Sequence, residues 1–325
     1  MAIIPGASDG VGPELLLKAL TNLCEANVEF LWCGDKASLQ LASDRARIAI
    51  DFFDSNKAKL DKGPILQFFD EAFGASVLEA QANFIKKGVT LAKNHQVDAL
   101  VTGPIDKACL RYLDDGNDHG QTEYFSRHLA APAHHRPLMA FMGGPFLMSL
   151  VTTHVPLRSV AHEIHGDVLL KHIESVAAMS APIVGKEPNE LRIAVLGLNP
   201  HAGEGGLIGE EEQEIMLPTI KKAQDKGLKV SAPLPADGFF AYFHRMDKDF
   251  LPDIVIAMYH DQGLIPYKLL AQGCAVNVTL GLTIPRVSPA HGTASNLTGK
   301  NLACPKSTQN ALETALLLSR LRMKP

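Results

Sequence analysis

The sequence predicts an α/β protein whose mostly parallel sheets are covered by helices, with enough chain for two lobes. Three observations carry this. Apolar, β-branched runs such as VEFLWCG (28–34), VDALVTG (97–103), LRIAVLGL (191–198) and DIVIAMY (253–259) alternate with amphipathic stretches at helical spacing. The connections are mostly short, and strand–helix alternation of this kind builds parallel sheets covered on both faces. At 325 residues the chain is also longer than a single hydrophobic core commonly fills.

AIIPG opens the chain as a short buried strand, and ASDGVGPELLLKAL turns into an amphipathic helix. Pro13 suits the first helical turn, where a missing N–H costs nothing, and Gly10 and Gly12 permit a tight turn. Such a helix start can hold an anion or simply turn the chain. Its spacing is not GxGxxG, so no dinucleotide fingerprint is read. VEFLWCG is a strand, KASLQLASD a helix and ARIAIDFFD a strand, with a loop expected from there to about residue 73. A long helix over about 74–94 leads to VDALVTG, which Pro104 stops; Asp106 and Lys107 follow it.

A polar, histidine-rich stretch lies between 110 and 136. His134-His135 reads as a solvated turn, and GQTE (120–123) as the cap and start of a helix. The Thr122 hydroxyl suits either capping or a phosphate, with the cap favoured by spacing. PLMAFMGG and FLMSLVTTH read as neighbouring strands around Gly143-Gly144-Pro145, followed by a helix over about 166–184. LRIAVLGL opens into a glycine-rich loop, where backbone can approach a ligand, and Glu210–Glu212 begin a helix. VSAPLPAD places Asp237 after a short strand. CAVNVTLGL is a strand carrying Asn277; Arg286 follows within a Gly/Ser/Thr-rich loop, and STQNALETALLLSRLR is a final helix with Ser307 as N-cap.

The net charge of −4 excludes a general polyanion-binding surface, so nucleic acid is not an expected partner. No apolar stretch reaches the roughly 18 residues that span a membrane, and MAIIPGASDG lacks a basic n-region, so no signal peptide is expected. The five cysteines (Cys24, Cys33, Cys109, Cys274, Cys304) show no CxxC spacing and read as reduced thiols of a cytoplasmic protein.

Chemistry concentrates at strand ends. His154, His201 and His260 each follow a β-rich run, and parallel strands deliver their C-terminal ends to one edge, where open α/β sheets bind ligands. Three neutral imidazoles there make a divalent-metal site; the other reading is separate polar residues closing strands. Asp237, Asp261, Lys268, Asn277, Arg286 and Lys107 are candidates for proton transfer and anion binding. A Lys on a short helix serves a structural ion pair as readily as catalysis, and Arg286 can grip a carboxylate or phosphate with its fork.

VTTHVPL, LGLNPHAGEGGLIGEEE, PLPAD, AMYHDQGLIPYK, VNVTLGL and HGTA, in this order, resemble the successive motifs of the 4-hydroxythreonine-4-phosphate dehydrogenase family of vitamin B6 (pyridoxal 5'-phosphate) biosynthesis. The resemblance spans essentially the whole chain. It implies a two-domain fold similar to the isocitrate and isopropylmalate dehydrogenases, with residues 1–120 and 283–325 in one domain, 121–282 in the other, and the active site in the cleft between them.

The resemblance further implies that His154, His201 and His260 ligate a divalent metal (zinc, magnesium or manganese), the third, His260, being supplied by the other subunit of a homodimer. Gln121, Thr122, Lys268, Asn277 and Arg286 align with substrate-binding positions, and Asp237, Asp261 and Lys268 with the catalytic ones. The loop from His291, including Gly292, Thr293 and Asn296, aligns with the region receiving NAD or NADP. The implied reaction oxidises and decarboxylates a small phosphorylated hydroxy acid, 4-phosphohydroxy-L-threonine.

Five positions depart from the family pattern. Ala7-Ser8 replace an Asp-Pro pair and Gln121 replaces a histidine. Ala290 and Asn296 replace aspartates. Gln121 can hydrogen-bond but cannot carry a proton. A paralogous dehydrogenase acting on a 4-phosphorylated sugar acid or a cis-dihydrodiol acid is therefore a second reading, and a non-catalytic metal- or phosphometabolite-binding protein a third.

Overall fold

The computed structural model describes residues 1–23, 28–69, 74, 76–113, 120–131, 137–247 and 250–322. Cys24 and the His134-His135 turn lie outside them. In chain order the described strands are β1 (Ala2–Ile4), β2 (Phe30–Asp35), β3 (Ile50–Asp54), β4 (Lys57–Leu60), β5 (Ile65–Phe69), β6 (Leu100–Thr102) and β7 (Leu138–Met142). They continue with β8 (Leu147–Leu150), β9 (Arg192–Leu196), β10 (Lys229–Leu234), β11 (Ile254–Ala257), β12 (Val276–Leu280) and β13 (Arg286–Pro289). The chain divides into two compact units, Met1–Pro137 with Val276–Pro325, and Leu138–Ala275. Residues 121–131, 137 and 276–282, placed in the second domain from sequence, cluster with the first unit.

In the first unit the strands run β12-β13-β6-β1-β2-β5-β4-β3. The centre, β13-β6-β1-β2-β5, is parallel, while β12 and the β4-β3 end are antiparallel. The helix Val77–Lys93 is set by Ser76, whose hydroxyl accepts the Glu79 N–H, and buries Ala82, Phe84, Ile85 and Val89. It lies close on β1 because Gly88 has no side chain: a Cβ there would meet Ile4 Cδ1 at 2.3 Å.

Two sequence expectations change in this unit. Residues 55–69, expected as loop, contain β4 and β5; Ala58 and Leu60 alternate inward between Lys57 and Lys59, a period of two over too few residues to stand out. Ser307 does not cap the last helix (Lys306–Arg322) but lies inside its first turn, accepting the Ala290 N–H at 3.1 Å.

The second unit orders its strands β10-β9-β11-β8-β7, parallel from β10 to β8 and antiparallel at β7. The helix Gly166–Val184 has the predicted span and ends on Gly185 in the left-handed region. The helix His260–Ala271 begins directly after β11 and sits against β8 and β11 at Gly263, where a Cβ would lie 2.9 Å from Ala257 Cβ and 3.0 Å from Met148 Sδ. Tyr267, buried against Phe141 and Phe146, accepts the Gly144 N–H at 3.0 Å and fastens this helix to the β7–β8 turn. Burial pushes its phenol pKa upward.

None of the four described cysteines forms a disulfide, and among the described residues no helix is long and apolar enough to cross a membrane.

Candidate functional site

The parallel run β10-β9-β11-β8 delivers four segments to one edge of the second unit. Asp237 follows β10, His201 follows β9, His260 follows β11 and His154 follows β8. A fully buried β11 explains why IVIA reads as an unbroken apolar run that ends abruptly in polar residues. The rings of His154 and His260 within one chain lie tilted at 40° with centroids 5.9 Å apart. Among the described residues of one chain, no three His, Cys, Asp or Glu side chains form a group able to hold a metal ion.

His201 stands on an unusual turn. Residues 201–205 all lie in the left-handed region, with φ of 53°, 51°, 78°, 43° and 67°. Three of them are not glycine, and each such residue costs about 1–2 kcal/mol. A buried carboxylate braces the turn: Glu212 accepts the Asn199 N–H at 2.7 Å and its Nδ2–H at 2.9 Å, while Glu211 accepts Nδ2–H at 2.7 Å. These bonds hold the Glu211 carboxyl below the usual range, its backbone bonds counting most and Asn199 next. The acidic run read from sequence as a helix start therefore also ties down the loop.

His260 is oriented by its neighbour, its Nδ1 lying 2.7 Å from Asp261 Oδ1. A carboxylate on Nδ1 favours the tautomer with a lone pair on Nε2. Lys268 is eight residues beyond His260 along the same helix, about 12 Å in rise, and is exposed like Asp237 and Asp261.

A second cluster belongs to the first unit. Arg286 opens β13 and is fully buried; Nη2 donates to Thr102 Oγ1 at 2.6 Å, and Nη1 to Thr122 Oγ1 at 3.1 Å and Thr279 Oγ1 at 3.4 Å. The Phe125 ring centroid is 5.3 Å from its guanidinium carbon. Nε makes no hydrogen bond. Desolvation lowers the Arg286 pKa to about 10, with the Glu123 charge opposing. Thr122 is thus an acceptor for arginine rather than a helix cap: the helix Gln121–Leu129 is capped by the Gly120 backbone.

Gln121 donates weakly to Gly103 O at 3.4 Å, and its own carbonyl is buried without a donor, as is that of Asn277. Asn277 pairs across β12 and β13 with Ser288, two positions from the Thr279–Arg286 pair, on the same face. Lys107 is exposed in the short 3₁₀ turn after β6.

The loop from His291 is held from behind by the first glycine turn. Val11 N–H donates to Thr293 O at 2.9 Å, Thr298 Oγ1 to Asp9 O at 2.8 Å, and Gly299 N–H to the buried Glu14 carboxylate at 2.8 Å. A Cβ on Gly10 would lie 2.9 Å from Thr293 O. Gly292 and Asn296 are exposed, with open space around Gly292, and His291 Nδ1 lies 2.9 Å from Gly292 O. The turn at 5–14 therefore cradles a loop.

Thr102, Thr279, Glu14 and Asn199 are not singled out from the sequence, and Glu212 reads only as part of a helix start. Glu14, in GPE beside the first helix start, carried the clearest available signal, because a carboxylate among apolar helix positions needs a partner.

Residues 27–315 match the family model described as pyridoxal phosphate biosynthetic protein PdxA. A 4-hydroxythreonine-4-phosphate dehydrogenase of Sulfurihydrogenibium sp. is 36% identical over 331 residues, covering 99% of both chains. The enzyme of that name from Xanthomonas oryzae is 34% identical, with 99% of both chains covered. The crystal structure of a 4-hydroxythreonine-4-phosphate dehydrogenase from Klebsiella pneumoniae superimposes with a TM-score of 0.78 at 28% identity, covering 98% of each chain.

Proposed function

The chain belongs to the pyridoxal phosphate biosynthetic protein PdxA family, and on that premise we propose that it is a metal- and NAD(P)-dependent dehydrogenase. Its substrate is 4-phosphohydroxy-L-threonine, which it converts to 3-amino-2-oxopropyl phosphate. The observation that carries the reading is the edge where three neighbouring parallel strands end in His260, His201 and His154.

The donor set fits a divalent ion completed across a homodimer. His154 and His260 are close, Asp261 prepares the His260 ring, and one chain alone brings no third ligand among its described residues. Each histidine segment also exposes a large apolar side chain: Leu157, Leu207, and Leu269 are 72%, 85% and 74% exposed, as an interface between copies requires. Three imidazoles favour zinc over magnesium or manganese. When bound, such an ion polarises the substrate oxygen that passes from hydroxyl to carbonyl.

The remaining steps fall to side chains and nicotinamide. Arg286, a buried cation whose partners are hydroxyls, attracts an anionic group of the substrate, with Thr122, Gln121 and Asn277 beside it. Asp261 is engaged in orienting His260, which leaves Lys268 and Asp237 to accept the hydroxyl proton as hydride leaves the carbinol carbon. The resulting β-keto acid then loses CO₂. The exposed 291–296 segment, braced on the 5–14 turn, receives the nucleotide.

Gln121, standing where a histidine is expected, motivates a second reading, a phosphorylated sugar acid with a hydroxyl where 4-phosphohydroxy-L-threonine carries its amino group. Steady-state assays decide between them. Turnover of 4-phosphohydroxy-L-threonine is expected, and a kcat/KM tenfold or more in favour of erythronate or threonate phosphate contradicts the first reading. Titrating NAD and NADP against metal-loaded protein, followed by Trp32 fluorescence and heat, tests the dehydrogenase itself. No binding of either at millimolar concentration leaves only the non-catalytic reading.

A further inference from the structure

Beyond the last ladder bonds of the second unit, two side chains and the backbone of Met258 continue the sheet. Thr152, two residues before His154, donates its hydroxyl to Met258 O at 2.7 Å and its N–H to the same oxygen at 3.1 Å. Met258, two residues before His260, donates its N–H to Gln262 Oε1 at 2.7 Å. Gln262 Nε2 donates to Gly197 O at 2.6 Å, at the end of β9 and four residues before His201. Gly197 N–H then donates to Leu234 O at 2.8 Å, three residues before Asp237. Backbone pairing of β11 with β9 is last registered at Ile256 with Val195. The Gln262 carboxamide acts past that point as a substitute peptide unit, one acceptor and one donor bridging two strand ends that have parted.

We infer that Thr152 and Gln262 are positioning residues of the histidine edge, setting the mutual placement of His154, His260 and His201 without touching substrate or metal themselves. The inference rests on the metal-centre reading above and adds to it the residues that fix the geometry. Met258 and Thr152 are buried, so neither bond can be replaced by solvent, and Gly263 seats the Gln262-bearing helix against β8 and β11. A carboxamide is required at 262 because a carboxylate has no donor for Gly197 O. A hydroxyl is required at 152, which serine supplies and valine does not.

Four full-length variants test this: Gln262→Met, Thr152→Val, Thr152→Ser and Ser149→Ala. The last removes a buried hydrogen bond to His172 (2.9 Å) within β8 that takes no part in the Thr152–Met258–Gln262 chain, and controls for loss of stability. Two readouts are taken: zinc affinity by chelator competition, and the ring resonances of ¹⁵N-labelled histidines in zinc-free protein. Loss of an outer-shell partner weakens metal binding about 10- to 100-fold. That loss is expected for Gln262→Met and Thr152→Val, whereas Thr152→Ser and Ser149→Ala stay within about threefold of wild type, the scatter of such measurements. His201 and His260 resonances move in Gln262→Met, and those of His154 and His260 in Thr152→Val. If wild type binds zinc and all four variants bind it equally, the inference is overturned while the metal reading stands. If wild type binds no zinc, the metal reading falls, and unmoved ring resonances overturn the inference as well.

Discussion

Arg286 Nη2 reaches Thr102 Oγ1 at 2.6 Å across 184 positions of sequence, and the two other hydrogen-bond partners of the guanidinium, Thr122 and Thr279, are also hydroxyls. A buried cation held mainly by neutral oxygens is a poor way to stabilise a fold and a good way to wait for an anion. Arg286→Met is therefore expected to unfold within a few degrees of the wild-type midpoint. Turnover should nonetheless fall by about 10- to 150-fold, since a charge-assisted bond contributes roughly 1.5–3 kcal/mol. Calorimetry with steady-state kinetics checks both, and a large drop in midpoint with activity retained reverses the assignment.

Glu14 ties the first glycine turn to the 291–301 segment through Gly299 at 2.8 Å. Glu14→Ala strands that N–H and is expected to cost about 1–3 kcal/mol in urea unfolding. It should raise the NAD(P) dissociation constant more than it lowers kcat. Glu14→Gln keeps an acceptor and should recover most of the nucleotide affinity, as titration calorimetry would show.

The left-handed run under His201 offers a graded test. Gly203 (φ +78°) would place a Cβ 2.7 Å from Glu212 Oε2, whereas Gly205 (φ +67°) has open space. Gly205→Ala therefore suffers backbone strain alone, about 1 kcal/mol, and Gly203→Ala also displaces the Glu212 brace. Gly203→Ala should be the less stable and the less active in parallel denaturation and turnover measurements; equal effects mean that the brace does not matter.

The edge itself is legible in the sequence because buried parallel strands read as apolar runs and stop sharply at polar residues: IVIA followed by Tyr259-His260-Asp261 needs no partner to be recognised. The braces are not. Thr122 reads as a cap because local spacing favours one, and only the distant Arg286 gives it another role. Gln262 looks like any polar residue at a helix start until Gly197, 65 positions earlier, is brought beside it. β4 and β5 escape because Ala58 and Leu60 are the only inward residues of a four-residue strand.

Cys33 and Cys109 supply a pH test. Burial raises both thiols from 9.0 to about 12, with the Asp106 charge adding to the rise at Cys109. A raised folded-state value means the native chain holds protons that the unfolded chain has released. Their contribution to stability is complete below about pH 9 and is lost progressively as pH rises towards 12. Urea midpoints should fall across that window, and less steeply in Cys33→Ala/Cys109→Ala. At neutral pH exposed Cys304 should alkylate well before either buried thiol.

Metal content and turnover of His154→Ala, His201→Ala and His260→Ala test the central claim most directly. Each variant is expected to lose bound metal and at least about 100-fold in kcat/KM, by the scale on which ligand-shell changes act. Mixing inactive His154→Ala and His260→Ala subunits should restore part of the activity if each site takes His154 from one copy and His260 from the other, and none if one copy supplies both. If all three variants keep metal and turnover, the histidine edge is not the reaction centre.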